Sequence, residues 1–344
     1  MFIHSKDPLE SVGGTETPED VYLNRRKWLR AAGFAVGAGV LGGGGYLGWR
    51  SYRGSDEAVI QSGRSVGNET VEIAPEAPQL SYEEQLLTSY PATRDERFTY
   101  GRYETERAEA ARYTNFYEFS STKLTWRYID DFNPYPWEIT IDGLCRNQTK
   151  LDLADFQKLY ADDMVERQYR HRCVETWAMA VPWTGVPLAN IIKAADPLPE
   201  ATHVRFVSFM RPDEAPQQQT DEYPWPYVEG MTLAEATNEL TLLATGIYGQ
   251  PLLKQHGAPI RTVVPWKYGF KSAKSIQRIE FVNREPGTFW TTLMPEAYPF
   301  ESNVEPDVPR PWPQNSERML GTGEILPTQL YNGYGDYVAK LYPA

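Results

Sequence analysis

The 344-residue sequence has few of the residue types from which most small-molecule and metal sites are built. It contains two cysteines, Cys145 and Cys173, and four histidines. Two thiols with no ligand spacing between them exclude a zinc site of the Cys/His type. A disulfide-stapled secreted scaffold would need more cysteines, although a single bridge stays open. No G-x-x-x-x-G-K-[ST], G-x-S-x-G or H-E-x-x-H string occurs, which removes the phosphate loop, the nucleophile elbow and the zincin helix. A positive surplus is also missing, with 34 Lys plus Arg against 46 Asp plus Glu and a net charge of -12. A chain that cannot displace counterions is not expected to bind nucleic acid. Haem, flavin and NAD fingerprints are absent too, so redox chemistry would need an outside electron donor.

The chain does carry a basic string, Asn24-Arg25-Arg26-Lys27-Trp28-Leu29-Arg30, followed by an uncharged, glycine- and alanine-rich run to Trp49. This pattern predicts a twin-arginine export signal over residues 1–49, the route that carries folded proteins. Gly42 to Gly45 fall inside it and are no phosphate loop. The alternative is a membrane-spanning anchor, because the run nearly matches the roughly 20 residues a span needs. The protein is therefore expected in the periplasm, or tethered to the membrane if the signal is not cleaved. Residues 50–80 are rich in Ser, Gly, Glu and Pro and read as a linker.

From residue 81 to 344 the pattern is that of one globular domain. Tyr82 to Leu87 and Glu104 to Arg112 read as short helices. Leu151 to Tyr160 is expected as a helix capped by Asp152, with Leu153, Phe156, Leu159 and Tyr160 facing inward. Pro187 to Ala195 is a further helix, burying Leu188, Ile191 and Ile192, and Thr232 to Glu235 forms a capping box. Trp137 to Ile141, His203 to Phe209, Ile260 to Val264 and Ser275 to Val282 read as strands. Strands and short helices alternate without a βαβ rhythm, so the class is α+β. After about residue 283 the chain is rich in Pro and Trp and is expected to wrap the surface. The acidic pairs Asp130-Asp131 and Asp162-Asp163 read as solvated faces.

Two stretches stand out chemically. In Arg170-His171-Arg172-Cys173-Val174-Glu175, cationic neighbours should lower the thiol pKa and favour the thiolate, the form that binds metals. The alternative there is an inert buried cysteine. Cys145 has no such neighbours, follows a strand and is read as inert. In the second stretch, Gly257 to Lys274, a strand leads into a Pro-Trp-Lys loop with Lys267, Lys271 and Lys274. Such a loop can cradle a phosphate, or it can be a solvated basic turn.

The strings Arg-His-Arg-Cys173-Val-Glu, Val181 to Gly185, Gly257-Ala-Pro-Ile-Arg261 through Lys274, Asn115 to Phe119, Tyr227 to Gly230 and Tyr331 to Tyr334 resemble the sulfite-oxidase-fold molybdopterin oxidoreductases. Within that group they are similar to the catalytic subunits of bacterial periplasmic protein-methionine-sulfoxide reductases, over roughly residues 81–340. The resemblance implies a sulfite-oxidase-type fold of mixed sheets, short helices and long ordered loops. It also implies one molybdenum-molybdopterin per chain, with Cys173 as the metal's protein ligand and Glu175 beside it. Cofactor contacts carried over from it are Thr114, Asn115, Tyr117, Glu118, Ser208, His256, Arg261, Ser272, Ala273 and Lys274. Thr114 and His256 stand where the family has asparagine, and Ser208 where it has threonine; all three can still hydrogen-bond. The implied reaction is oxygen-atom transfer from methionine sulfoxide, free or within oxidised periplasmic proteins. The implied electron donor is a membrane-embedded, haem-containing subunit. Two alternatives follow from the same residues. A sulfite oxidase would be expected to add an Ig-like domain of about 100 residues, for which the chain has no room after Tyr334. The other is a secreted binding protein that lost the metal, against which the retained Cys173 argues.

Overall fold

A computed structural model describes residues 81–99, 101–308 and 310–342. The expected signal and linker, 1–49 and 50–80, lie outside the described residues. Strands are numbered in chain order. One sheet has eight strands: β1 (Thr93–Arg94), β4 (Val165–Arg172), β5 (Trp177–Pro187), β8 (Leu242–Ile247), β9 (Gln250–Pro251), β10 (Arg261–Val263), β12 (Ser316–Met319) and β13 (Ile325–Pro327). The other has five: β2 (Glu138–Gly143), β3 (Thr149–Asp152), β6 (His203–Ser208), β7 (Val228–Thr232) and β11 (Ile276–Val282). Its order is β3-β2-β11-β6-β7, with only β2 and β11 parallel. The α+β class is that expected from the sequence. Among the described residues, no helix is long and apolar enough to cross a membrane.

Strand β5 organises the larger sheet. It pairs along its length with β4, then with β12 at Trp177 and Ala178 and with β8 at Trp183 to Pro187. Ten of its eleven residues are buried, so it reads as a continuous apolar run rather than an alternating one. The smaller sheet alternates: His203 to Ser208 runs half-buried, buried, half-buried.

Local signals set most helix ends. Asp152 accepts from the Asp155 N–H, Ser81 and Thr232 form capping boxes, and Leu188, Ile191 and Ile192 are buried. Three expectations need correction. The helix expected from Glu104 starts only at Arg107, because Thr105 exchanges backbone and hydroxyl hydrogen bonds with Ala180 of β5. Leu159 is 61% exposed. Gln157 is buried instead and donates to the Tyr90 hydroxyl at 3.0 Å. The region after residue 283 does not merely wrap the surface. It supplies β12, which runs parallel to β5, and it buries Phe289, Trp290 and Glu317.

Candidate active site

Cys173 lies in the short turn that joins β4 to β5. Its N–H donates to the Trp177 carbonyl at 2.9 Å, and the Thr176 N–H returns to the Cys173 carbonyl at 3.0 Å. Thr176 has φ 74°, in the left-handed region that a β-branched residue adopts only under strain. The thiol is buried, and its sulfur meets two N–H groups, Asn115 Nδ2 at 3.6 Å and the Glu175 backbone at 3.5 Å. Asn115 Nδ2 also reaches the Glu175 carboxylate at 3.3 Å, and that carboxylate is ion-paired with Lys123.

The structure reverses the expected electrostatics of this turn. Burial pushes the Cys173 thiol up to about 11, the Glu175 charge adds to this, and Lys123 and Arg172 oppose it. The reason is the pleat of β4, which turns alternate side chains to opposite faces. Arg170 and Arg172 go to the far face, where Glu317 pairs with both. His171 alone faces the cleft, where burial, then Arg261 and Lys274, hold its ring well below the usual histidine range. Cys145 sits in a separate buried bridge with Pro197, as an inert cysteine would.

The cleft around Cys173 is lined by Thr114, Asn115, Tyr117, Glu118, Glu175, His256, Arg261, Ser272 and Lys274 among others. The chain thus brings together side chains drawn from positions 114 to 274. Ser208 and Ala273 lie behind this surface. The Ser208 hydroxyl donates to the Lys274 carbonyl at 2.7 Å, and the buried Ala273 accepts from the Thr262 N–H at 3.0 Å. Two of the loop lysines are taken by the protein's own acids. Lys271 pairs with buried Glu229 at 2.5 Å, and Lys267 with Glu235 at 2.5 Å. Lys274 has no carboxylate at ion-pair distance among the described residues, and its ammonium lies 5.2 Å from the Phe116 ring centre. Burial and Arg261 lower its pKa, while burial raises that of Glu118.

Arg261 donates to the carbonyls of His256 (2.9 Å), Thr262 (3.2 Å) and Ser272 (3.4 Å), over the face of Trp183. Burial pulls its pKa to about 9 and that of His256 to about 4. Three polar atoms of the lining are buried with no hydrogen-bond partner: Thr114 Oγ1, Trp177 Nε1 and His256 Nδ1. Each such orphan is expensive unless a ligand satisfies it. Backbone shape matters at two points. A Cβ on Gly269 would lie 2.4 Å from His171 Nε2, and one on Gly257, at φ +93°, would lie 2.6 Å from Lys274 Cβ. Sequence reasoning missed His171 as a lining residue, with Trp177, Met179, Tyr227, Gln255, Phe270, Trp290 and Tyr298. For the aromatic ones the signal was only aromatic abundance, Met179 and Gln255 had none, and Trp290 and Tyr298 belong to the region read as surface. Among the described residues, no group of three or more His, Cys, Asp or Glu is placed to hold a metal.

The family profile "Oxidoreductase molybdopterin binding domain" matches residues 127–290, a span that includes Cys173, Arg261 and Lys274. The chain is 40% identical over 332 residues to the protein-methionine-sulfoxide reductase catalytic subunit MsrP of Burkholderia mallei, covering 95% of this chain and 91% of that one. It is 49% identical over 247 residues to the protein of the same name from Gluconobacter oxydans, covering 69% and 78%. Among solved structures, the sulfane dehydrogenase SoxCD from Paracoccus pantotrophus aligns at 15% identity with a TM-score of 0.38, covering 64% of this chain and 57% of that one.

Proposed function

Because the chain belongs to the family of protein-methionine-sulfoxide reductase catalytic subunits, we propose that it reduces methionine sulfoxide, free and within proteins, at the Cys173 cleft. The cofactor proposed is molybdenum-molybdopterin. When bound, it supplies oxygen-atom transfer coupled to two electrons. The residues present fit such a group. Cys173 offers one soft thiolate, whose proton a metal would displace despite the burial that raises its pKa. Asn115 and the Glu175 N–H favour the ionised sulfur by donating to it. Thr114, His256 and Trp177 present orphaned polar atoms, and Lys274, which has no carboxylate at ion-pair distance among the described residues, is suited to a phosphate tail. Tyr117, Glu118, Arg261 and Ser272 would complete the hold. Ser208 and Ala273 would support it from behind through the backbone of 273–274.

One observation carries the choice of a neutral substrate. Four cations of the Cys173 turn and the later basic loop are ion-paired: Arg170 and Arg172 with Glu317, Lys123 with Glu175, and Lys271 with Glu229. That leaves Arg261 and Lys274 to meet the cofactor's anionic tail. A dianion such as sulfite would then enter without compensation and lose its hydration, whereas a sulfoxide is uncharged. The test is a paired assay on one cofactor-loaded preparation. Oxidation of a reduced viologen is expected with methionine sulfoxide, and little ferricyanide reduction with sulfite. Efficient sulfite turnover without sulfoxide activity would overturn this reading.

The sequence carries no haem, flavin or nicotinamide motif of its own, so the electrons would come from a separate donor; the family resemblance makes that donor a membrane-embedded haem subunit. Export by the twin-arginine route is proposed from Arg25 and Arg26 directly before the uncharged run. Changing both to lysine keeps the charge, and it should sharply lower the periplasmic yield. An undiminished yield would favour general secretion or simple anchoring.

A further inference from the structure

Part of the cleft lining is made of rings rather than polar groups. Tyr117, Phe270, Trp290 and Tyr298 all line the same cleft as Cys173. They come from three separate stretches of chain. Trp290 stacks on Tyr298 with ring centres 4.7 Å apart and planes at 26°. Tyr117 meets Trp290 edge-on at 5.1 Å and 81°, and Phe270 meets Tyr298 at 5.1 Å and 80°. The Tyr227 hydroxyl ties in the group by donating to the Phe270 carbonyl at 2.7 Å. The rings therefore pack on one another as a continuous wall.

We infer that three of these rings, Phe270, Trp290 and Tyr298, form the seat for the alkyl end of a sulfoxide substrate, gripping its sulfur-bound methyl and methylene groups, with Tyr117 bracing Trp290 from the cofactor side. The inference rests on the functional reading given above. The polar half of the cleft already has a use, because its orphaned atoms and its free lysine suit an anionic cofactor. Phe270, Trp290 and Tyr298 have no such task. Sulfur next to an aromatic edge, and alkyl groups on an aromatic face, are both favourable contacts. Ring faces carry the negative part of their quadrupole, so the same wall disfavours a small dianion. The seat thus sets selectivity for dialkyl sulfoxides through shape and polarity, without touching the reacting oxygen.

The experiment uses the cofactor-loaded, oxidised protein. Calorimetric titration with N-acetylmethionine sulfoxide should give a Kd about tenfold weaker in Trp290→Ala, in line with the loss of one apolar contact in a specificity pocket. KM should rise by a similar factor, with kcat much less affected. Trp290→Phe should regain most of the affinity. Phe270→Leu, at a less buried position, gives the same test if Trp290→Ala does not fold. Pterin content per chain should match wild type in every variant. Unchanged Kd and KM in both Trp290→Ala and Phe270→Leu would overturn the inference. So would loss of pterin in step with loss of affinity, which would make the rings a cofactor seat. Wild-type protein that neither binds nor reduces the sulfoxide would sink the functional reading itself, whereas normal turnover with unaffected ring variants would sink only this one.

Discussion

Cys173→Ser protein is expected to lose sulfoxide turnover almost entirely, while Cys145→Ser keeps it. Loss of an outer partner of a metal site costs roughly 10- to 100-fold, and loss of the thiolate proposed as the metal's protein ligand should exceed that. A serine hydroxyl is a harder donor, and near neutral pH it stays protonated where a metal would ionise the thiol. Asn115 and the Glu175 N–H, at 3.6 and 3.5 Å from the sulfur, would then face an oxygen with a shorter reach. The optical and paramagnetic spectra of the loaded protein should change with the ligand. Cys145 gives the contrast. It is buried beside Pro197, and burial, followed by the charge of Asp142, raises its thiol pKa. It is absent from the cleft lining. Its serine variant should show wild-type spectra and at most a modest stability loss. Equal loss of activity in the two variants would refute the assignment of Cys173 as ligand.

The legible part of this protein was the part written locally. Asp152 and Thr232 announced helix starts because their caps act within three residues. Leu188, Ile191 and Ile192 announced a buried face by their spacing. The approximate bounds of β2, β6, β10 and β11 followed from runs and alternation. The stretch around Cys173 and the stretch from Gly257 to Lys274 stood out by composition, and their residues do meet in one cleft.

What was not legible depended on partners far away in sequence. The pleat of β4 puts Arg170 and Arg172 on one face and His171 on the other, but which face meets the cleft was not legible, because the acid that pairs with the two arginines, Glu317, lies far along the chain. Lys267 and Lys271 looked free for a phosphate, yet Glu235 and Glu229 claim them. The ring wall combines Tyr117 with Trp290 and Tyr298, and no pattern within either segment marks the pairing. Proline and tryptophan content suggested a surface wrap after residue 283. The decisive fact there, a strand parallel to β5, is a long-range pairing that composition does not encode.

Glu317→Gln is therefore the substitution expected to cost most in stability. The Glu317 side chain is 0% exposed, and it faces Arg170 and Arg172, whose side chains are 1% and 0% exposed. Arg102 adds a third guanidinium at 2.7 Å. Removing that carboxylate charge takes away the anion that faces these buried guanidinium groups, in a medium that solvates them poorly. Breaking a buried pair in this way typically costs about 3–5 kcal/mol. Replacing the whole cluster by apolar side chains is a different change and can be neutral, so the single variant is the informative one. The surface pair Glu138–Lys150, at 2.8 Å with both side chains more than half exposed, supplies the control. Glu138→Gln should shift stability by less than about 1 kcal/mol. Urea unfolding of the two variants would measure both. The effect should also reach the cleft, because Arg172 donates to the carbonyls of Cys173 and Ser316 and so ties the Cys173 turn to β12. Cofactor retention in Glu317→Gln should fall together with stability. A stability loss no larger than that of Glu138→Gln would mean the arginines find other compensation. In that case Glu317 would not be what anchors the far face of β4.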